Sequence, residues 1–437
     1  MTDTRTAFIS AATWHGSLDE AERLLAAHPE LASFDIHTAA VTGNASAVRQ
    51  FLKQDPGSVS RLSEPYGGSP LVYLCMSKYL RLDANRAAAF LDTAGALLEA
   101  GADAKSGFWT NGQFPEFETA LYGAAGIAHN AGLTKLLLAY GADPNDEEAA
   151  YHSPEGHDNA AMEALVETGR MTKDNLAMLL IRKSDWHDEM GMEYLLEHGA
   201  DPNFSWRGKH SILHHALVRS NGLVFFELLL EHGADAGQTH NGLSVAVRAA
   251  REGRKDLLAL LEQRGVNLEF RGVDRLIAAC AAGYSDAVRK IASDSPEALD
   301  HLLAMGGDLL ARFTLCNNEA GVQRLLDLGV GVNAPYFHGD GYFDIAPASL
   351  AIHIASWLSH PNLVGLLLAR GAKADVPDVK GRTPLALAVK ACVDSYWMRR
   401  RNPDSVRLLL EAGASAKGIP LPTGYAAVDE LLQAARS

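Results

Sequence analysis

LLLEHGADAG, residues 228–237, decides the fold of this chain of 437 residues. Three successive leucines suit the buried face of a helix. Gly233 then ends that helix, because glycine enters the left-handed region without a Cβ clash. Asp235 opens a turn. The same order returns in LLEAGADAKS (97–106), LLLAYGADPN (136–145), LLEHGADPNF (195–204) and LLEQRGVNLE (260–269). LLDLGVGVNA (325–334), LLLARGAKAD (366–375) and LLLEAGASAK (408–417) follow. The glycines Gly101, Gly141, Gly199, Gly233, Gly265, Gly329, Gly371 and Gly413 mostly stand 32 to 42 residues apart. Two gaps are near double that interval. Gly169 divides the first, and Ser295-Pro296 divides the second.

Some twenty residues before several of these endings lies a second element. TALYGAAG begins at Thr119, SILHHALV at Ser211, SVAVRAAREG at Ser244 and TPLALAVK at Thr383. The leading Ser or Thr can cap a helix, and Pro384 falls in a first turn where no donor is missed. Each unit therefore reads as turn, short helix, longer helix. One such pair cannot bury its apolar faces alone, so the units must stack. The 69 alanines and 60 leucines then have a cause: small residues at helix contacts and leucines on the buried face.

GRTPLALA (381–388) and the recurrent LLLxxGADPN tail resemble the ankyrin repeat, over nearly the whole chain from Phe8 onward. The Ala/Gly-rich, loose consensus is similar to that of bacterial ankyrin proteins. The resemblance implies an all-α ankyrin-repeat solenoid of about twelve helix-turn-helix units with short β-hairpin fingers. It would form one elongated array over 1–437, with degenerate capping repeats at 1–60 and a C-terminal cap at 421–437. Three units end on Pro instead of GAD: AAHPELA, KQDPGSV and SDSPEAL.

Departures from the period point to function. The fingers after Gly101 and Gly329 are longer than the rest. Their additions, SGFWTNGQFPEFE (106–118) and APYFHGDGYFDIAP (334–347), are rich in rings. They hold Phe108, Trp109, Phe114, Phe117, Tyr336, Phe337, Tyr342 and Phe343, in a chain that is only 7% aromatic. The rings either pack on neighbouring fingers or anchor a partner. Inserts at YLRLDANRAA and SYWMRRRNPD are expected to extend helices, the second carrying Arg399, Arg400 and Arg401.

The resemblance also implies which side chains face a concave groove: Arg207, Lys209, Arg219, His240, Arg251, Glu252, Lys380, Arg382 and Lys390, with Trp206 beside Arg207. Most are basic, although the chain carries a formal net charge of −14. Either they balance nearby acids or they form a positive groove that steers an acidic protein segment.

That net charge argues against sequence-independent nucleic-acid binding. Cys75, Cys280, Cys316 and Cys392 show no paired spacing and read as reduced fillers. The N-terminal stretch is charged throughout, and no apolar window is long enough to span a membrane, so a cytoplasmic protein is expected. His210, His214 and His215 form a histidine cluster, but His214 falls where the ankyrin consensus histidine bonds its own turn, and no metal is expected. SDWHDE (184–189) reads as a helix start, and Asp146, Glu147 and Glu148 as surface charge. Walker, GxGxxG, nucleophile-elbow and HExxH patterns do not occur. The expected function is a non-catalytic, cofactor-free scaffold that binds a partner protein through the groove and the two aromatic fingers. The alternatives are an exported effector that binds a host or competitor protein, and an enzyme or small-ligand binder with a site between repeats.

Overall fold

A computed structural model describes residues 2–81, 84–208 and 211–436. Lys209 and His210 lie outside the described residues. The chain packs as two compact units, Met1–Ala216 with Leu228–Ala234, and Leu217–Glu227 with Asp235–Ser437.

Helices in the first unit come in pairs. α1 (Thr2–Ala12) is followed by α2 (Leu18–Ala27), α3 (Ile36–Val41) by α4 (Ala45–Gln54), and α5 (Pro70–Cys75) by α6 (Ala84–Glu99). α7 (Ala120–Tyr122) runs on through a π-helical turn, Gly123–Ile127, and precedes α8 (Ala131–Ala139). α9 (Glu147–His152) with α10 (Ala160–Val166), and α11 (Lys173–Asp185) with α12 (Glu189–Glu197), continue the series. First helices pack on first helices, α3 on α5 and α5 on α7, while α4 packs on α6 and α6 on α8. The small residues do what their abundance suggested: a Cβ on Gly123 would stand 2.7 Å from the Cys75 carbonyl carbon.

α13 (Ile212–Val218) and α14 (Leu223–Glu231) straddle the division between the units. The second unit then holds α15 (Val245–Arg251), α16 (Lys255–Gln263), α17 (Val273–Ala282), α18 (Ser285–Asp294) and α19 (Pro296–Ala304). After them come α20 (Gly306–Leu315), α21 (Glu319–Asp327), α22 (Ala351–Trp357), α23 (Pro361–Ala369), α24 (Pro384–Val393) and α25 (Asp404–Glu411). Here α15 packs on α17, α20 on α22 and α22 on α24, and α23 packs on α25. α26 (Ala426–Arg436) lies against α25 and buries Val428 and Leu432.

Strands among the described residues form two-stranded antiparallel hairpins: β1 (Gly107–Trp109) with β2 (Phe117–Thr119), β3 (Thr239–His240) with β4 (Leu243–Ser244), and β5 (Pro335–Tyr336) with β6 (Ser349–Leu350). All eight repeat glycines take φ between 75° and 101°, the left-handed stop read from the sequence. Thr119, Ser244 and Thr383 cap their helices, accepting from Tyr122, Val247 and Ala386 amides at 3.0, 3.2 and 3.2 Å.

Turns of adjacent units are joined through one position. Asn203 Nδ2 donates to the Gly233 carbonyl at 2.8 Å, and Asn333 Nδ2 to that of Gly371 at 3.2 Å. Asn145 donates to the Arg170 carbonyl at 3.0 Å and accepts from the Thr172 amide at 2.7 Å. Asp375, at the same place in its unit, accepts from the Ser415 amide at 3.2 Å.

The Pro-ended units differ from the others for a physical reason. Proline suits the first position of a new helical turn. Pro29–Ser33 and Pro56–Ser60 are 3₁₀ turns, and Pro296 starts α19, an extra helix between pairs. The first insert meets expectation in part: its last residues, 84–88, lengthen α6 to 16 residues, behind a 3₁₀ turn at Lys78–Arg81, whereas the second forms a separate 3₁₀ turn at Met398–Arg400.

Candidate functional site

The first aromatic finger is a true hairpin. Phe108 faces Glu118, and Trp109 faces Phe117, across β1 and β2. Strand alternation sends neighbouring side chains to opposite sides. Trp109 is therefore 64% exposed with its ring 5.1 Å from Phe117, and Phe114 at the tip is 81% exposed. Phe108 turns inward and is only 4% exposed. It stacks on Tyr66 at 5.1 Å and meets the edge of Trp14 at 5.3 Å. The exposed rings of this finger are therefore Trp109, Phe114 and Phe117, while Phe108 packs beneath.

Glu118 is buried on the same side as Phe108, and its Oε2 has no hydrogen-bond partner. Burial, reinforced by Glu148, Glu116 and Asp146 and opposed by His152, pushes its carboxyl up to about 7. Asp146 is not plain surface charge. It caps α9, accepting from the Ala149 amide at 2.7 Å, and burial raises its carboxyl. His152 lies between Glu148 and Glu155, which push its imidazole up to about 9.

The second finger lies down more than it protrudes. Tyr336 is 3% exposed and sits within 5.9 Å of the Arg312 guanidinium. Ile345 enters the cluster of Tyr336, Ile354, Trp357 and Leu387. Trp357 Nε1 donates to the Phe343 carbonyl at 2.7 Å, and Arg219 covers the Tyr342 ring at 4.5 Å. Phe337 remains outside, 69% exposed, and Tyr342 is partly so. Tyr336, read with these rings from the sequence, packs inward.

Every described basic residue named for the groove has a close neighbour of opposite charge or an aromatic face. Arg207 reaches Glu147 at 2.8 Å and lies over Trp206 at 5.0 Å. Arg251 grips Asp274 with two bonds, at 2.6 and 3.0 Å. Lys380, Arg382 and Lys390 converge on Asp344 at 2.6, 2.7 and 3.7 Å. Arg382 also reaches the buried Asp378 at 2.8 Å. His240 ends β3, paired with Leu243. The sequence did not single out Asp344, although it stands inside the finger already marked for its rings. Around it three cations meet Asp344 and Asp378, leaving one positive charge in excess.

His214 Nδ1 is 2.8 Å from Ser211 Oγ, and His215 Nε2 is 2.8 Å from Asp185. Among the described residues, no group of three or more His, Cys, Asp or Glu is placed to hold a metal ion. SDWHDE does start a helix: Asp188 caps α12. The cysteines are free thiols, and burial pushes Cys280 and Cys316 up to about 12. None of the described helices is long and apolar enough to cross a membrane.

No family model and no curated protein matches the chain. Among solved structures, the crystal structure of the human ASB11 ankyrin repeat domain is similar at a TM-score of 0.24 and 19% identity. That match covers 55% of this chain and 98% of the other.

Proposed function

We propose that the chain is an ankyrin-type protein-interaction scaffold, its paired helices making up an array of twelve units. The repeated glycine stops, capped first helices and paired turns support that reading. The presented contacts are Trp109, Phe114 and Phe117 on the first finger and Phe337 and Tyr342 on the second. Lys380, Arg382 and Lys390 favour a partner with an acidic segment. Four unpaired cysteines, three of them buried, fit a reducing compartment, so the proposed setting is the cytoplasm.

One observation carries the proposal: Trp109 and Phe114 stand in water on a hairpin whose inward ring, Phe108, is buried against Tyr66. Aromatic rings grouped on one exposed hairpin suit burial at an interface, where such side chains carry much of the binding energy. The test is affinity capture of the tagged protein from its own cytosol, beside Trp109→Ala with Phe337→Ala. The double variant is expected to lose the partner while melting as the native protein does. Unchanged capture, or a large loss of stability, refutes the anchor role.

A further inference from the structure

A cavity of about 130 Å³ lies within the second unit. α15 supplies Arg248, α20 supplies Arg312 and Leu315, and β5 supplies Tyr336. Leu217 and Val218 complete an apolar wall, and Glu252 and Asp340 bring carboxylates.

The charges in this cavity are unevenly committed. Arg254 is held by Asp256 through two bonds, at 2.9 and 2.8 Å, and by the Asn221 carbonyl at 2.9 Å. Asp340 turns its carboxylate onto its own loop, accepting from the Tyr342 and Phe343 amides at 2.9 and 3.3 Å. Arg248 and Arg312 are left to share Glu252. Arg248 gives it Nε at 2.8 Å, and Arg312 gives it Nη1 at 2.5 and 2.6 Å. Each guanidinium thus spends one nitrogen on Glu252. The remaining donors suit a second planar carboxylate, which a guanidinium can hold through two parallel bonds.

We propose that this cavity binds a carboxylate carried on a short aliphatic chain, with Arg248 and Arg312 as its ligands. The volume admits about four waters, which is room for a carboxyl group and one or two methylenes. Leu217, Val218 and Leu315 receive the methylenes. The same chemistry belongs to a free small aliphatic acid and to the side chain of a glutamate. The cavity needs no partner protein to function, so it stands apart from the scaffold reading.

Saturation-transfer NMR with the full chain tests it, using propionate as probe and propionamide as its neutral isostere. Propionate is expected to bind and propionamide not to. Arg312→Gln is expected to weaken propionate by about tenfold or more, as loss of a two-bond charged contact does. Arg289→Gln, on a solvent-exposed side chain, leaves it unchanged. Arg248→Gln is read in the same way, so a misfolded Arg312 variant does not end the test. A second arm compares acetyl-Gly-Glu-Gly-amide with its Gln counterpart. Binding of both propionate and the Glu peptide assigns the site to a glutamate side chain, and binding of propionate alone assigns it to a free acid. No transfer from either acid, equal binding of propionamide, or indifference to both arginine variants overturns the site. Partner capture by the aromatic fingers is unaffected by any of these results.

Discussion

The ammonium of Lys183 lies 2.8 Å from Asp188 Oδ2, with the lysine side chain wholly out of water and the aspartate 5% exposed. The Gly156 carbonyl accepts a second bond from Lys183, and Asn159 donates to Asp188 at 2.9 Å. Burial opposes ionisation of Asp188, but Lys183 and Asn159 outweigh it and hold the carboxyl below its ordinary value. Lys183→Met leaves that carboxylate buried without its cation. The expected loss is about 3–5 kcal/mol, measured by urea unfolding. Asp188→Asn strands the buried Lys183 ammonium in the same way and should cost a similar amount. Its folded-state carboxyl being depressed, the contribution of Asp188 is present above the unfolded value of 3.8 and fades as pH falls below it.

Glu118 carries the opposite sign. Its carboxyl rises from 4.5 to about 7 on folding, so the fold prefers the protonated form. Its contribution is intact below 4.5, declines through the interval, and is lost above about 7. Glu118→Gln should therefore raise the melting temperature at pH 8, by the equivalent of about 3 kcal/mol at most, and leave it unchanged at pH 4. A gain of equal size at both pH values would show that charge is not the cause.

Within one finger, two phenylalanines should behave differently. Phe108→Ala removes a buried ring that stacks on Tyr66 and meets the edge of Trp14, at an expected cost of about 3–4 kcal/mol. Phe114→Ala trims an exposed ring and should move stability by less than about 0.5 kcal/mol. Calorimetric melting of the two variants compares them directly.

Asp344 occupies the cations that an acidic partner would seek. Exposed ion pairs contribute about 0–1 kcal/mol, so Asp344→Asn should melt nearly as the native chain does. Its affinity for a hexaglutamate peptide should rise several-fold in low salt, and the gain should vanish as salt screens the site. Unchanged binding in fluorescence anisotropy would show that Lys380, Arg382 and Lys390 serve only the loop.

Much of the helix pairing was legible because it rests on local rules. Gly233 must stop a helix, Thr383 caps one, and Pro384 fits a first turn. Periodicity also placed the two long fingers. It did not tell which ring of a finger is buried. That depends on strand register, which sets Phe108 inward and Trp109 outward, and on neighbours such as Tyr66, some forty residues away in sequence. The role of Asp344 was hidden for the same reason: Lys380, Arg382 and Lys390 come to it through the fold. α19 was missed because Ser295-Pro296 reads equally well as a loop or a helix start. The stitching role of Asn145, Asn203 and Asn333 was overlooked as ordinary turn composition.

That stitch has a mechanical consequence. Each Asn ties its turn to the next, so tension along the chain is borne link by link. Gly237 stands at the same place in its unit and has no side chain with which to form such a bond. Under pulling in an optical trap, the chain should lengthen in discrete steps instead of one rupture. The earliest slips should fall at the turn of Gly237, which has no side chain to make that tie.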